Sequence, residues 1–330
     1  MNKILFDQRW IGEHGIGRFA KEIYRSSTQK ASLELKGNPA GMFDILTLTA
    51  YLFFHKGYFY SPGYNSPFFF LKRTIFTIHD LNHIDFMENS SLLKRVYYNL
   101  ILKRACRKSK KIFTVSEFSK QRIVDWAKID KDKIFVLGNG VSESFNYNVP
   151  KYKCDFKYIL VVGNRKAHKN EPRALEAFLS ANIDKKVKIV FTGNISDPLK
   201  AIIKSYNAAD RVIFSGRTSD QELASLYKSA EFLLFPSLYE GFGLPVIEAM
   251  ACGTPVLTSN TTSLVEISKN AALLVDPNST DEIRASIERL FYDEELKQQL
   301  RTKGLIVAKG FIWDEIRQKF DTQMNMIINE

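Results

Sequence analysis

Cysteine is scarce in this chain: Cys106, Cys154 and Cys252 are the whole complement of 330 residues. An odd count with no C-x-x-C spacing excludes a disulfide framework and a structural zinc site. Long apolar runs are missing too. The aromatic stretches at 51–54 and 68–71 are interrupted by His55, Lys56, Pro62 and Pro67, far short of the ~20 apolar residues that span a bilayer as a helix. The opening MNKILFDQRW carries too short an apolar run for a signal peptide, so a cytoplasmic location is expected. No helix-turn-helix, zinc finger or RNA-binding aromatic motif is present, and nucleic acid is set aside as a partner. The D-x-D string Asp130-Lys131-Asp132 falls in a polar turn between a helical and a strand pattern, and it reads as a surface turn rather than a metal site.

What is present is an ordinary globular composition, 45% hydrophobic and 25% charged, which excludes disorder and leaves room for two domains of roughly 150 residues. The net charge of +11 is uneven. Residues 1–150 hold 23 Lys/Arg against 13 Asp/Glu, whereas 151–330 hold 24 against 23. A balance that basic would suit nucleic acid, whose motifs are missing, an anionic bilayer or a phosphorylated substrate. Much of the excess lies between Leu92 and Lys111, LLKRVYYNLILKRACRKSKK. There Leu93, Val96, Tyr97, Leu100 and Ile101 recur at helical spacing, and Lys94, Arg95, Lys103, Arg104, Arg107 and Lys108 fill other positions. Two readings stay open for this basic amphipathic helix: contact with an inner-leaflet anionic membrane surface, or a packed helix with a solvated face.

The second half alternates strand and helix. Apolar runs at 158–162, 187–191, 211–214, 232–235, 255–257 and 272–275 are separated by helical patterns such as 172–180, 221–230 and 245–250. Continuous strands with crossover helices predict a parallel sheet covered on both faces, with ligands beyond the carboxyl ends of the strands. The first half repeats this more loosely, with strands predicted at 4–6, 74–78, 112–115 and 134–137 and helices at 16–26, 92–108 and 118–128. The aperiodic stretch 141–157 is the predicted linker, with the boundary near residue 150.

Three strings carry chemistry. In FPSLYEGFGLPVIEAMACGTPVLTSN, residues 235–260, Glu240 and Glu248 flank a glycine turn between a buried strand and a helix opened by Pro245. Gly241 and Gly243 allow close approach to the main chain, and the helix start offers unpaired N–H groups to an anion. In VVGNRKAHKN, residues 161–170, Arg165, Lys166 and Lys169 occupy the loop after a strand, and Asn170 is placed to cap the next helix. In IGEHGIGRFAKEI, residues 11–23, Gly12, Gly15 and Gly17 precede a helix. A nicotinamide site there is disfavoured, because no acidic residue follows a second strand at the usual distance. His79 ends an apolar strand, with Asp80 beside it as its expected orienter, and Asn139-Gly140 offers a hinge or a simple turn.

The pattern of Glu240, seven residues and Glu248 around Gly-Phe-Gly-Leu-Pro resembles the donor-site signature of glycosyltransferase family 4, the glycosyl transferases group 1. The resemblance covers nearly the whole chain and is strongest from 158 to 276. It implies an α/β protein of the GT-B fold, two Rossmann-like domains whose parallel sheets face each other across a cleft. Residues 1–150 would form the acceptor-side domain, 151–310 the nucleotide-sugar domain, and 311–330 a last helix crossing back to the first domain. It also implies a retaining, metal-independent hexosyltransferase without cofactor, acting in bacterial O-antigen or capsule assembly. Mannose is the first sugar to consider, and a lipid-diphosphate-linked glycan the first acceptor.

The same resemblance assigns residues. His79, Glu240, Arg165 and Lys169 would be catalytic. Gly15, Gly17, Lys166, Gly241, Phe242, Gly243, Leu244 and Glu248 would bind the donor, with Lys166 the competitor of Arg165 for the second diphosphate contact. Two other classes stay in view: a GT-B sugar-nucleotide epimerase, and a non-enzymatic basic protein that binds membranes or anions.

Overall fold

The structure is a computed structural model and describes residues 3–13, 15–41, 43–86 and 92–329; His14 of the glycine string lies outside them. Contacts divide the chain into two units, Met1–Gly140 with Ile312–Glu330, and Val141–Phe311. The division falls before residue 150 because the intervening segment packs on the second unit. Phe145 is buried in its core, and the Tyr152 N–H donates to the Ser225 carbonyl.

The second unit holds β7 (Tyr158–Val161), β8 (Lys188–Phe191), β9 (Val212–Phe214), β10 (Leu233–Phe235), β11 (Val256–Ser259) and β12 (Leu273–Val275), all parallel, in the order β12-β11-β10-β7-β8-β9. Alternation along β7 splits its side chains between two cores. Tyr158 and Leu160 join Phe235, Val246 and Met250 on one face, while Ile159 and Val161 join Phe178, Phe191 and Ile287 on the other. Burial on both faces is why these strands read as unbroken apolar runs. β7 lies between β8 and β10, with Leu160 opposite Leu233. Strand order therefore reverses at β7, with β7 followed by β8 on one side and β10 by β11 on the other, the switch point at which open α/β sheets bind ligands.

The first unit holds β1 (Ile4–Phe6), β2 (Lys30–Ser32), β3 (Tyr58–Ser61), β4 (Thr74–Thr77), β5 (Lys111–Thr114) and β6 (Ile134–Val136), also parallel, in the order β2-β1-β3-β4-β5-β6. Its reversal lies at β1, between β2 and β3. The basic helix expected over 92–108 forms as three consecutive pieces: Leu92–Val96, a wider-turned Tyr97–Leu102, and Lys103–Lys108. The π-type middle shifts the register of the third piece against the first, and several of the cations make contacts within the fold. Lys94 Nζ lies 3.2 Å from His83 Nε2, Lys103 lies 5.8 Å from the Trp126 ring centroid, and Arg107 donates to the Ala127 carbonyl. Among the described residues no helix is long and apolar enough to cross a membrane.

The last helix, Trp313–Asn329, completes the first unit. Phe320 sits 4.9 Å from the Tyr60 ring and 5.8 Å from that of Phe113. Trp313 covers Gly140, where a Cβ would stand 2.7 Å from the indole. Asp321 accepts from the Ser27 N–H (2.9 Å) and hydroxyl (2.7 Å), from the Thr28 N–H (2.9 Å), and from the Thr28 hydroxyl. Burial pushes this carboxyl up, but those donors outweigh it and hold it down at about 2. A depressed carboxylate stabilises the fold above its unfolded value near 3.9, and that contribution disappears as pH falls toward the folded value. Asp321→Ala is therefore expected to cost about 1–2 kcal/mol at neutral pH. In urea melts its deficit should shrink as the pH drops from about 4 toward 2; a deficit independent of pH would remove this role.

Candidate functional site

The loop leaving β7 runs to a short 3-10 turn, Ala167–Lys169, and the loop leaving β10 runs to the helix Leu244–Ala251. Because β7 and β10 are neighbours, these loops meet. The Leu238 N–H donates to the His168 carbonyl at 2.7 Å, and Ser237 Oγ lies 2.9 Å from the same oxygen. Lys169 Nζ donates to Glu240 Oε1 at 2.7 Å, and the two side chains are only 14% and 12% exposed. The ammonium also lies 5.0 Å from the Phe235 ring centroid, at the end of β10. Ser237 Oγ is 2.7 Å from Glu240 Oε1, which fixes the carboxylate as well as the loop. A cation and an anion are thus held together at the switch point, screened from most water, where Coulomb interactions are stronger than at an open surface.

The glycine turn is built for a sharp entry into the helix. Gly243 has φ +104°, and a Cβ there would meet Leu264 at 2.7 Å, so no other residue fits without displacement. The Ser263 hydroxyl lies 2.9 Å from the carbonyls of both Glu240 and Phe242, pinning the turn. Gly241 is buried in this turn, and Leu244 opens the helix with Pro245 in its first turn. Glu248 comes one turn later. It is 5% exposed and accepts from the Tyr227 hydroxyl at 3.2 Å.

Several expected residues make further contacts within the protein. Arg165, the first choice for a second diphosphate contact, adopts φ +64° and turns inward. Its guanidinium pairs with Glu171 and donates to the carbonyls of Thr192 and Asn194. These bonds tie the loop to the end of β8. Lys166 is exposed, and among the described residues nothing pairs with its ammonium. Asn170 stands at the helix start in a left-handed conformation but makes no side-chain cap; its amide donates to the carbonyls of Pro236 and Pro277. The Phe242 ring is buried 5.7 Å from Phe311, so it supports the turn from below.

In the first unit, Gly15 (φ +53°, ψ −121°) precedes the helix Ile16–Tyr24, and a Cβ there would meet nothing within 4 Å. Gly17 is different. A Cβ at 17 would press on the Gly12 backbone at 2.7 Å, so this glycine serves close packing of the loop on itself. His79 follows β4 and packs edge-on against Phe19 of that helix at 4.8 Å. Its Nε2 lies 2.9 Å from the Pro62 carbonyl, which can only accept. Nε2 therefore carries the proton, and in the neutral ring Nδ1 is an acceptor. Burial pushes His79 below its ordinary value, with the Pro62 carbonyl and Asp80 pulling it partly back, so the neutral form prevails at pH 7. Pro62 rather than Asp80 orients the ring; Asp80 instead accepts from the Asn82 N–H at 3.0 Å.

Asp130 caps a short turn by accepting from the Asp132 N–H at 2.8 Å. Among the described residues no group of three His, Cys, Asp or Glu side chains could hold a metal. Sequence reasoning did not single out Ser237 or Tyr227. Ser237 lies three residues before Glu240 in the same string, whereas Tyr227 reaches Glu248 from another helix and leaves no local signal.

Known proteins resemble this chain in sequence and in fold. A family model described as glycosyl transferases group 1 matches residues 147–305, and one described as glycosyltransferase family 4 matches residues 53–145. The O-antigen chain mannosyltransferase B of Escherichia coli is 29% identical over 269 residues, 76% of this chain and 71% of its own. The O-antigen chain mannosyltransferase RfbU of Salmonella typhimurium is 30% identical over 256 residues, 75% of this chain and 68% of its own. Among solved structures, a sucrose-phosphate synthase from Thermosynechococcus elongatus superposes with a TM-score of 0.80 over all of both chains at 16% identity, a likeness of fold.

Proposed function

Since the chain belongs to glycosyltransferase family 4, the glycosyl transferases group 1, and has the GT-B fold, we propose that it moves a hexose from a nucleotide diphosphate sugar to a lipid-linked glycan in bacterial surface polysaccharide assembly. Mannose is the first candidate, because both relatives from Escherichia coli and Salmonella typhimurium are named O-antigen mannosyltransferases. The observation that carries the donor reading is the Lys169–Glu240 pair at the switch point of the second sheet.

Glycosyl transfer separates charge: the sugar becomes cationic as its bond to the diphosphate stretches, and the diphosphate gains negative charge. Lys169, with Lys166 near it in sequence, supplies cations for the diphosphate. Glu240 supplies a carboxylate for the sugar hydroxyls, and Glu248 one for the ribose. Retention follows from front-face substitution, in which the acceptor oxygen bonds the anomeric carbon as the phosphate oxygen leaves and takes the acceptor's proton. The first unit, with its basic excess and neutral His79, is proposed to take the acceptor, at the cytoplasmic face of the membrane.

Thermal shift with a panel of nucleotide diphosphate hexoses tests the donor site, because a ligand at a hundred times its Kd raises stability by about 2.7 kcal/mol. A GDP- or UDP-hexose is expected to shift the melt and to yield an extended glycan with acceptor present. No shift with any of them, or an epimerised sugar nucleotide released without acceptor, would overturn the reading. Cations and backbone donors are proposed to replace a metal, so transfer should survive EDTA with less than about a twofold change, a barrier change well under 1 kcal/mol. Loss of activity restored by magnesium or manganese would refute metal independence.

A further inference from the structure

A cavity of about 880 Å³ in the first unit is lined by neither the glycine loop nor His79. Lys72, Arg73, Arg104, Arg107 and Lys108 line it, with Phe68 and Phe69, and among the described residues no carboxylate does. Two of its arginines are rigid fixtures. Arg73 donates to the carbonyls of Leu52, His55 and Gly57 and lies 4.7 Å over the Phe70 ring. Arg104 donates to the Phe68 carbonyl at 2.6 Å and lies 4.4 Å over that ring. Lys72 and Lys108 are exposed, and among the described residues their ammonium groups have no partner. Such an arrangement concentrates positive potential in a concave wall of aromatic rings.

An apolar hollow adjoins it through the shared wall of Phe69 and Phe70, and Leu46, Phe53 and Phe54 form its other sides. Phe53, Phe54 and Phe69 are 71%, 79% and 59% exposed. So large a contiguous aromatic face in water marks an interaction surface. A cationic cavity continuous with an apolar strip matches one ligand chemistry, an anionic head on a hydrocarbon tail.

We propose that this face docks on a bilayer: the cavity takes the phosphate head of an anionic phospholipid, and Phe53, Phe54 and Phe69 enter the interface beside it. The inference deepens the membrane part of the proposed function and rests on it. It moves the contact from the length of the basic helix to its last turn, the loop at 68–73 and the end of the helix Asp44–Phe54, whose aromatic tip gave no such signal in the sequence.

Co-sedimentation with vesicles tests it, using pure phosphatidylcholine and phosphatidylcholine mixed with phosphatidylglycerol. The native protein is expected to bind only the mixed vesicles. Lys72→Glu/Lys108→Glu should weaken that binding at least tenfold, because each lysine near such a surface contributes on the order of fivefold. Phe53→Ser/Phe54→Ser should weaken it comparably, and high exposure of both rings keeps the melting temperature unchanged. Donor-induced thermal shifts should be the same in all forms, so a failed docking site and a failed donor site give separate signatures. The proposal falls if the native protein ignores mixed vesicles, or if both double variants bind them as the native does. It falls equally if Lys94→Glu/Arg95→Glu is as damaging, if inorganic phosphate alone stabilises the native protein but vesicles do not bind, or if a single-stranded oligonucleotide binds more tightly than vesicles.

Discussion

Lys169→Ala is expected to lower turnover about a hundred- to a thousandfold, the effect of removing one preorganised charge partner from a transition state. The ammonium is already in place before any donor arrives, held 2.7 Å from Glu240 in a site where both side chains are largely covered. Little reorganisation is then needed when charge develops on the diphosphate. The fold should survive, because Glu240 keeps the Ser237 hydroxyl when the lysine is gone. Glu240→Gln separates two roles that the ion pair entangles. In the free protein the carboxylate competes with a diphosphate for the same ammonium. Neutralising it should therefore tighten binding of the bare nucleotide diphosphate a fewfold while lowering kcat at least tenfold, as expected for a group that acts on the sugar in the transition state. Calorimetric titration of nucleoside diphosphate beside steady-state kinetics measures both. Nucleotide affinity that falls as far as kcat would assign Glu240 to positioning Lys169 instead. The double variant should be less than additive, since each change removes the other's partner.

That pairing was not legible in the sequence, although both of its members were. Glu240 stood out through its string and Lys169 through its place after an apolar strand. Their contact depends on strand order, because only with β10 beside β7 do the two loops share an edge. Strands of the second sheet were readable as they are buried on both sides. Arg165 shows the opposite case. Its left-handed backbone and its ion pair with the buried Glu171 were not visible in a run of basic residues. In the first sheet, β2 is the short polar segment Lys-Ala-Ser, and β3 is Tyr-Phe-Tyr-Ser between Gly57 and Pro62, so neither presented an apolar run. The helix Asp44–Phe54 is apolar nearly all round, and without amphipathic period its exposed aromatic end was indistinguishable from a core segment.

Removal of Arg9 is expected to destabilise the protein by about 3–5 kcal/mol, the cost of leaving buried charge uncompensated. At the reversal of the first sheet, Arg9 bridges Asp7 and Asp44, with side-chain exposures of 6%, 0% and 6%. The Asn65 amide donates to both carboxylates, at 2.9 and 2.8 Å, and its oxygen accepts from Trp10 at 2.8 Å. These partners lie 35 and 58 positions apart in the chain, so no local pattern in the sequence points to them. Two carboxylates share one guanidinium, and burial pushes Asp44 above its ordinary value, with Arg9 and Asn65 pulling it back down. A carboxyl raised on folding makes the native state bind protons more readily than the unfolded chain, so its contribution to stability falls as pH rises through the folded value. Arg9→Met removes the restraining cation and should raise Asp44 further. Its deficit in urea melts should therefore be largest near pH 7.5 and narrow as the pH is lowered toward about 5. Asp44→Asn should be far milder, because it leaves Asp7 and Arg9 as a neutral pair. An Asp44→Asn loss as large as that of Arg9→Met, or an Arg9→Met deficit unchanged between the two pH values, would show that packing and not charge balance holds this corner of the sheet.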